Sequence, residues 1–381
     1  MQKKPPDYPE TVKTSLASAL SLRFLSGRFY RDAGNFCINL LLNYPDDCRA
    51  NCAYCGLAHS RPQNEDSFIR VDWPVLKTRD VLDRLSRYSD TLHRICISTV
   101  FHPNAVKDTV SLATAVRAVS ESGSGTPLSV LITPGLFGAG DLERLKVLGA
   151  DYLGVGLDAA SKRVFEATRG KKVGGPLSWE DYIATLTSGV KAFGDYKVSC
   201  HIMVGIGETD RELVECFYHV HDMKALIHLF SFYPEPRSVM AGRKRPSMKR
   251  FRRAQLMAYL VEKNLIGRND LEFDAGGRLI HIKNSLAEVV EEAIECGGGD
   301  GGGGGGGKLF ITGGCPSKDG DIGCNRPFGS YRPGESFRDF PFHPEPEDIR
   351  RSRRELRLDE LFGNGLTAGR KKRPAPSATR L

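Results

Sequence analysis

From residue 36 onward, short and almost continuous apolar runs alternate with stretches whose apolar positions recur every three to four residues. FCINLLL (36–42), RICIST (94–99), PLSVLIT (127–133), YLGVGLD (152–158), KVSCHIMVG (197–205) and ALIHLFSF (225–232) have the length and composition of buried strands. Between them, 81–88, 104–120, 140–148, 161–168, 179–193 and 210–223 read as amphipathic helices. Strands that are apolar on both faces and separated by helices predict an α/β fold on a parallel sheet covered on both sides. An open doubly wound sheet and a partial barrel share this pattern. In either, ligands sit beyond the C-terminal ends of the strands.

After residue 233 the pattern changes. Pro234 and Pro236 open a connection, a helix is predicted at 247–263, and ten glycines fall among residues 297–307. Glycine loses the most backbone entropy on ordering, so this tract predicts an expanded surface loop. KLFIT follows it without the Lys-Ser/Thr and helix that a phosphate loop needs. The chain thus divides into an N-terminal extension (1–35), a barrel (36–235), a C-terminal extension with the Gly-rich insert (236–345) and a basic tail (346–381) expected to be disordered.

Charge modifies this picture locally. The 381 residues carry 54 Lys and Arg against 46 Asp and Glu, net +8. Residues 243–253 (RKRPSMKRFRR) hold seven of the basic residues and no acid, and residues 350–381 hold ten against three. The rest is mildly acidic, unlike a folded nucleic-acid-binding face, so the expectation is no nucleic acid. The 243–253 run reads as facing an acidic protein partner, whose docking it would steer, or solvent, rather than DNA. No apolar run approaches the roughly 18 residues of a membrane span, and the first ten residues show no apolar signal segment. A cytoplasmic protein with reduced thiols, and no membrane partner, is expected.

The ten cysteines then matter as ligands rather than as disulfides. Cys48, Cys52 and Cys55 form a C-x-x-x-C-x-x-C trio in YPDDCRANCAYCGLAHSRP, on the loop after the first predicted strand. Three soft thiolates so close suit a cluster of soft metal ions. Three ligands on a four-iron cubane leave one iron open to substrate or cofactor. The alternative is a zinc-stapled binding module with His59 as fourth ligand, although no second C-x-x-C pair follows. Cys315 and Cys324, in GCPSKDGDIGCNRPF, suggest a second metal site.

The trio, with an aromatic residue (Tyr54) just before its last cysteine, resembles the radical S-adenosylmethionine (SAM) superfamily. That resemblance implies a partial (β/α)6 TIM-type barrel and a [4Fe–4S] cluster on Cys48, Cys52 and Cys55 that chelates SAM and cleaves it to a 5′-deoxyadenosyl radical. Gly205-Ile206-Gly207-Glu208, after the fifth strand, is similar to the superfamily's segment beside the adenine; otherwise it is a strand-to-helix turn that needs glycine. Asp158 is a candidate for a ribose hydroxyl, or else a helix N-cap. Arg169 is a candidate for the SAM carboxylate, or else a surface charge.

RFYRDAGNFCINLLLNY, FIRVDWPV, GVGLDAA, GGPLSWEDY, GIGETD, HLFSFYPE and the GCP…CNRPF run together resemble the two-component (split) lipoyl synthases of archaea and some bacteria, over roughly residues 20–355. The sequence departs from that family where SKDGDIG stretches a short Cys-Pro-x-Cys and where polyglycine precedes it. The resemblance implies sulfur insertion into an octanoyl chain, the sulfur coming from a second, auxiliary [4Fe–4S] cluster. Cys315 and Cys324 are too few to hold it. Cys37 is the preferred third ligand, because alternation puts Cys37, Asn39 and Leu41 on the interior face; otherwise it is a small buried hydrophobe.

Cys96 and Cys200 compete with Cys37. Cys96 is placed as in biotin synthase, although Val130 and Ser199 fit that enzyme's pattern only in part, so a biotin-synthase type or another radical SAM enzyme is the second reading. Cys216 and Cys296 read as bystanders, and His93, His102, His201 and His228 receive no role. The implied partners are an octanoylated lipoyl carrier (glycine cleavage H protein or a dehydrogenase E2 lipoyl domain), a paired second synthase component, and a ferredoxin or flavodoxin electron donor.

Overall fold

A computed structural model describes residues 8–46, 48–61, 67–120, 125–295, 306–324, 326–332 and 334–363. Its strands are β1 (Thr11–Thr14), β2 (Cys37–Leu42), β3 (Ser67–Ile69), β4 (Val71–Asp72), β5 (Val75–Lys77), β6 (Arg94–Ser98), β7 (Leu128–Ile132), β8 (Ala150–Asp158), β9 (Val198–Val204), β10 (Leu226–Ser231), β11 (Leu271–Phe273) and β12 (Leu279–Ile282). The helices are α1 (Leu16–Ser21), α2 (Thr78–Tyr88), α3 (Ala105–Ser120), α4 (Ala139–Val147), α5 (Lys162–Thr168), α6 (Trp179–Phe193), α7 (Asp210–Asp222), α8 (Met248–Glu262), α9 (Ala287–Glu295), α10 (Pro346–Leu356) and α11 (Asp359–Phe362).

β2, β6, β7, β8, β9 and β10 pair in that order, all parallel, and are the six strands read from the sequence. Every residue of β2 is buried, as a strand covered on both faces requires. A helix follows each of the first five, giving the α/β partial (β/α)6 barrel. Side-chain caps fix where the helices begin: Ser178 and Asp181 close a capping box on α6, and Thr209 and Glu212 close one on α7.

Three features were not foreseen. β1, inside the segment read as an extension, pairs antiparallel with β2 and with β5, so the sheet has eight strands. The segment from Lys308 to Ser330 lies against the free side of β10 and reaches β2. Its Gly314 has φ +129°, and a Cβ there would stand 2.9 Å from His228 Cε1 and 3.2 Å from Cys324 Cβ. The buried Arg94 of β6 clamps this segment by donating to Pro316 O (2.8 Å) while its two terminal nitrogens grip Asp151 (2.6 and 2.9 Å). Lastly, the tail expected to be disordered from 346 contains α10 and α11, with Leu356, Leu361 and Phe362 buried in a core that begins at Val12. Apolar positions in that stretch outweigh its charge. Residues 364–381, Cys296 and the glycines up to 305 lie outside the described residues.

The basic run also departs from expectation. Arg252 is fully buried and donates to Glu355 (2.8 Å), Gln255 (2.9 Å) and the Arg338 carbonyl. Arg250 pairs with Glu208 and Asp210, Arg253 and Lys249 with Glu360, and Arg245 with Glu335. Five of the run's seven cations are engaged within the fold, tying α8 and its lead-in to the β9–α7 turn, to Glu335 and to the C-terminal helices, while Arg243 and Lys244 stand exposed. Its acidic partners are distant in sequence, so local composition concealed them.

Candidate functional site

The loop after β2 carries Cys48, Cys52 and Cys55, all half-buried. Backbone bonds fix it: Arg49 N–H to Phe101 O (2.8 Å), Ala53 N–H to Thr168 O (2.7 Å), Met240 N–H to Ala53 O (3.1 Å). Two sulfurs already accept backbone hydrogen bonds, Cys48 from Phe101 N–H (3.4 Å) and Cys55 from Leu57 N–H (3.3 Å). Burial raises all three thiols, and their mutual proximity adds to this at Cys48 and Cys55. Arg169 works in the opposite sense at Cys52. A cation at the sulfurs would offset this and favour the deprotonated trio.

These thiols line one end of a cavity of about 310 Å³ inside the barrel. Its wall continues through Leu41, Val100, Leu131, Met203 and Phe230, and so is largely apolar. Cys37, Asn39 and Leu41 face inward, as alternation predicts, and Cys96 and Ser98 of β6 do likewise.

The same cavity is lined by a second set of thiols, Cys37, Cys96, Cys315 and Cys324. The fully buried Cys37 is hydrogen-bonded to Cys324, which raises the Cys37 thiol and lowers Cys324 to about 7. Burial is the main cause that raises Cys96 and Cys315, and Cys324 adds to both. Cys96 thus stands with the three cysteines read from the sequence instead of replacing one. Cys200 does not. It is buried on the opposite face of β9, near Cys216 of α7.

Around the trio, Tyr54 Oη donates to Asp158 Oδ2 (2.6 Å), and Arg169 donates to the same oxygen (2.7 Å) and to Tyr182 Oη (2.6 Å). Asp158 sits in the left-handed region at φ +61°. It is not an N-cap, a place Ser161 takes. Arg169 is not a surface charge: its fork is spent on Asp158, Tyr182 and two β8 carbonyls.

Gly205, Gly207 and Glu208 do not line the cavity. The Glu208 carboxylate accepts from the N–H groups of Gly205 (2.7 Å), Ile206 (2.9 Å) and Gly207 (3.0 Å), so the turn's anion site is filled by its own side chain. His59 is exposed, away from the cavity. Among the described residues, no three Cys, His, Asp or Glu side chains converge on a point that would hold a single ion. A cubane puts each ligand on a different iron and needs wider spacing.

Residues 42–217 match the profile of the radical SAM superfamily. They are a radical SAM domain. The thiol trio, Asp158 and Arg169 all fall inside it. The chain is 27% identical over 182 residues to a lipoyl synthase of Polaromonas naphthalenivorans (strain CJ2), covering 46% of this chain and 49% of that protein. It therefore spans about half the length of the curated relative it matches. Among solved structures it is similar to methylornithine synthase (PylB), with 13% identity, TM-score 0.47, and 65% and 66% of the two chains covered. It is also similar to the hydrogenase maturase HydG from Carboxydothermus hydrogenoformans, with 15% identity, TM-score 0.45, and 66% and 56% covered. The domain match supports a SAM-binding iron–sulfur enzyme. No helix among the described residues is long and apolar enough to cross a membrane.

Sequence reading gave no role to Ser129, Tyr182, His201, His228 and Arg326, all of which line the cavity. The inward parity that placed Cys37 also identifies His201 with Met203, and His228 with Phe230. Nothing in the sequence marks Tyr182, which arrives from α6.

Proposed function

We propose that this chain is a radical SAM sulfur-insertion enzyme acting on an octanoyl chain carried by a lipoyl carrier protein, one component of a split lipoyl synthase. One observation carries the reading. A single apolar cavity is lined by two separate thiol sets, Cys48, Cys52 and Cys55 in one and Cys37, Cys96, Cys315 and Cys324 in the other. One cluster with an open iron accounts for the first set, and the donor chemistry of the second suits an auxiliary cluster. When bound, a [4Fe–4S] cluster on the trio supplies the electron that cleaves SAM to a 5′-deoxyadenosyl radical.

The chain's own work is positioning. Leu131, Met203 and Phe230 exclude water from an alkyl chain, and the fixed loop holds the trio against the strand ends. Tyr54, Asp158, Arg169 and Tyr182 form a bonded unit that orients the wall behind Cys52. Gly205, Gly207 and Glu208 shape the β9–α7 turn, whose amides are held by the Glu208 carboxylate. The partial identity to a lipoyl synthase supports the substrate class. The implied partners are the octanoylated carrier, a second synthase component and a ferredoxin or flavodoxin.

The test is anaerobic reconstitution with iron and sulfide, then reduction with SAM and an octanoylated carrier peptide. The expected result is 5′-deoxyadenosine together with a peptide that gains sulfur by mass spectrometry. Deoxyadenosine without sulfur gain overturns the substrate, and absence of both overturns the reading. A biotin-synthase-type substrate is the second reading, favoured by the strand thiol Cys96 in the second set. Sulfur gain by dethiobiotin, and none by the octanoyl peptide, would select it.

A further inference from the structure

A second cavity, of about 300 Å³, lies on the outside of the barrel between β10, α8 and the segment that carries Cys315 and Cys324. Ile227 of β10 and Glu262 of α8 line its inner wall, and Asp321 and His343, hydrogen-bonded at 2.9 Å, stand exposed in its lining. Cys315 and Cys324 line this cavity and the interior one alike. Cys37 and Cys96 line only the interior one.

The two shared residues therefore stand between a largely apolar lumen on one side and a groove of mixed polarity on the other. Glu262, Asp321 and Asp339 line the groove against one ammonium, Lys308, so its carboxyl groups outnumber its fixed cations, although burial pushes the Glu262 carboxyl up to about 7. Glu262 accepts the Ile227 N–H at 2.7 Å through one oxygen, and Asp321 is largely exposed.

We propose that the outer groove is a second entrance to the Cys37–Cys96–Cys315–Cys324 site, through which ferrous ion reaches Cys315 and Cys324 without crossing the barrel cavity. The proposal rests on the sulfur-insertion reading for its purpose. Sulfur that leaves with a product dismantles the site that gave it, so iron and sulfide must both be supplied again before the next turnover, and a path separate from the lumen lets iron enter independently of SAM and substrate. The path itself is a property of the fold. Metal binding at thiols releases their protons, and the groove opens that route to solvent.

The experiment uses the full chain with Cys48→Ala, Cys52→Ala and Cys55→Ala, free of metal and under argon. Alkylation by iodoacetamide is followed at each cysteine by peptide mass spectrometry, with and without a preceding pulse of ferrous ion. Asp321→Trp and His343→Trp, made separately, narrow the groove at exposed positions. Leu177→Trp narrows the barrel cavity.

The expected result is that either groove variant slows labelling of Cys315 and Cys324 at least fivefold and delays their protection by ferrous ion equally. Cys37 and Cys96 should be slowed by Leu177→Trp instead. Circular dichroism confirms that each variant is folded. Should Leu177→Trp alone slow all four thiols, or should neither groove variant change labelling, the proposal is overturned. Failure of the parent enzyme, with all its cysteines intact, to add sulfur to the octanoyl peptide, alongside the expected groove protection, would overturn the substrate reading and leave the entrance standing.

Discussion

Tyr54 donates its phenolic proton to Asp158 across 2.6 Å, joining the loop of the thiol trio to the C-terminal end of β8. The carboxylate also receives Arg169, so one half-buried anion holds two elements behind Cys52. Tyr54→Phe deletes one bond to a charged acceptor and leaves the Arg169 pair intact. A loss of about 1.5–3 kcal/mol is expected, from the ordinary worth of such a bond. Urea unfolding, with Tyr182→Phe as a neighbouring control, measures it.

Substitution of the cysteines separates the two thiol sets. With Cys48, Cys52 and Cys55 all replaced by Ala, release of 5′-deoxyadenosine should vanish while iron and labile sulfide persist at the second set. In that background, Cys37→Ala, Cys96→Ala, Cys315→Ala and Cys324→Ala should each lower the retained iron, and Cys200→Ala should not. Iron and sulfide analysis beside the visible absorbance decides it. Full retention of iron in Cys96→Ala would remove that thiol from the set.

Arg252 gives a prediction about stability that runs against the charge-based reading of 243–253. Its guanidinium is buried and fully engaged, so Arg252→Ala leaves Glu355 without its partner and opens a void. The expected cost is about 3–5 kcal/mol, the range for breaking a buried pair. Added salt should barely change that loss, whereas a surface steering charge would respond strongly. Guanidinium-free (urea) denaturation at two ionic strengths distinguishes them.

Glu212 sets an acid limit. Burial pushes its carboxyl up, but the Arg163 fork, the Thr209 N–H and the Ser161 hydroxyl outweigh it and hold the group at about 2. A carboxyl whose folded pKa is depressed contributes stability above its unfolded value near 4.5. That contribution fades as pH falls from there towards 2. With the pair partly solvated, about 1–2 kcal/mol is expected after allowance for screening. The gap in unfolding free energy between the parent and Glu212→Gln should therefore shrink between pH 5 and pH 2.5. A constant gap across that window would contradict this.

Much of this architecture was legible in the chain because its signals are local. The span Trp179–Phe193 is bounded as read, with Ser178 before it and Gly194 after it. All six parallel strands declared themselves as apolar runs. β1 did not, because Thr11 and Lys13 alternate with Val12 in a four-residue antiparallel strand too short to register. Of the site, the Cys48–Cys52–Cys55 spacing was readable, and alternation placed Cys37. The companionship of Cys96 with Cys315 and Cys324 depends on how a distant segment crosses the barrel, which no local pattern encodes. At Gly205–Glu208 the motif shows glycine amides, and only the fold reveals that the Glu208 carboxylate accepts from them.

The crossing of Lys308–Ser330 from β10 to β2 has a consequence for biosynthesis. Half of the second thiol set stands on the first parallel strand and its neighbour, and half on a segment translated long after the last one. A ribosome must travel well past codon 324 before the later pair leaves the exit tunnel. The nascent barrel therefore spends most of its synthesis with a gap along one flank and two unmatched sulfurs inside, and maturation of that site belongs to the finished polypeptide.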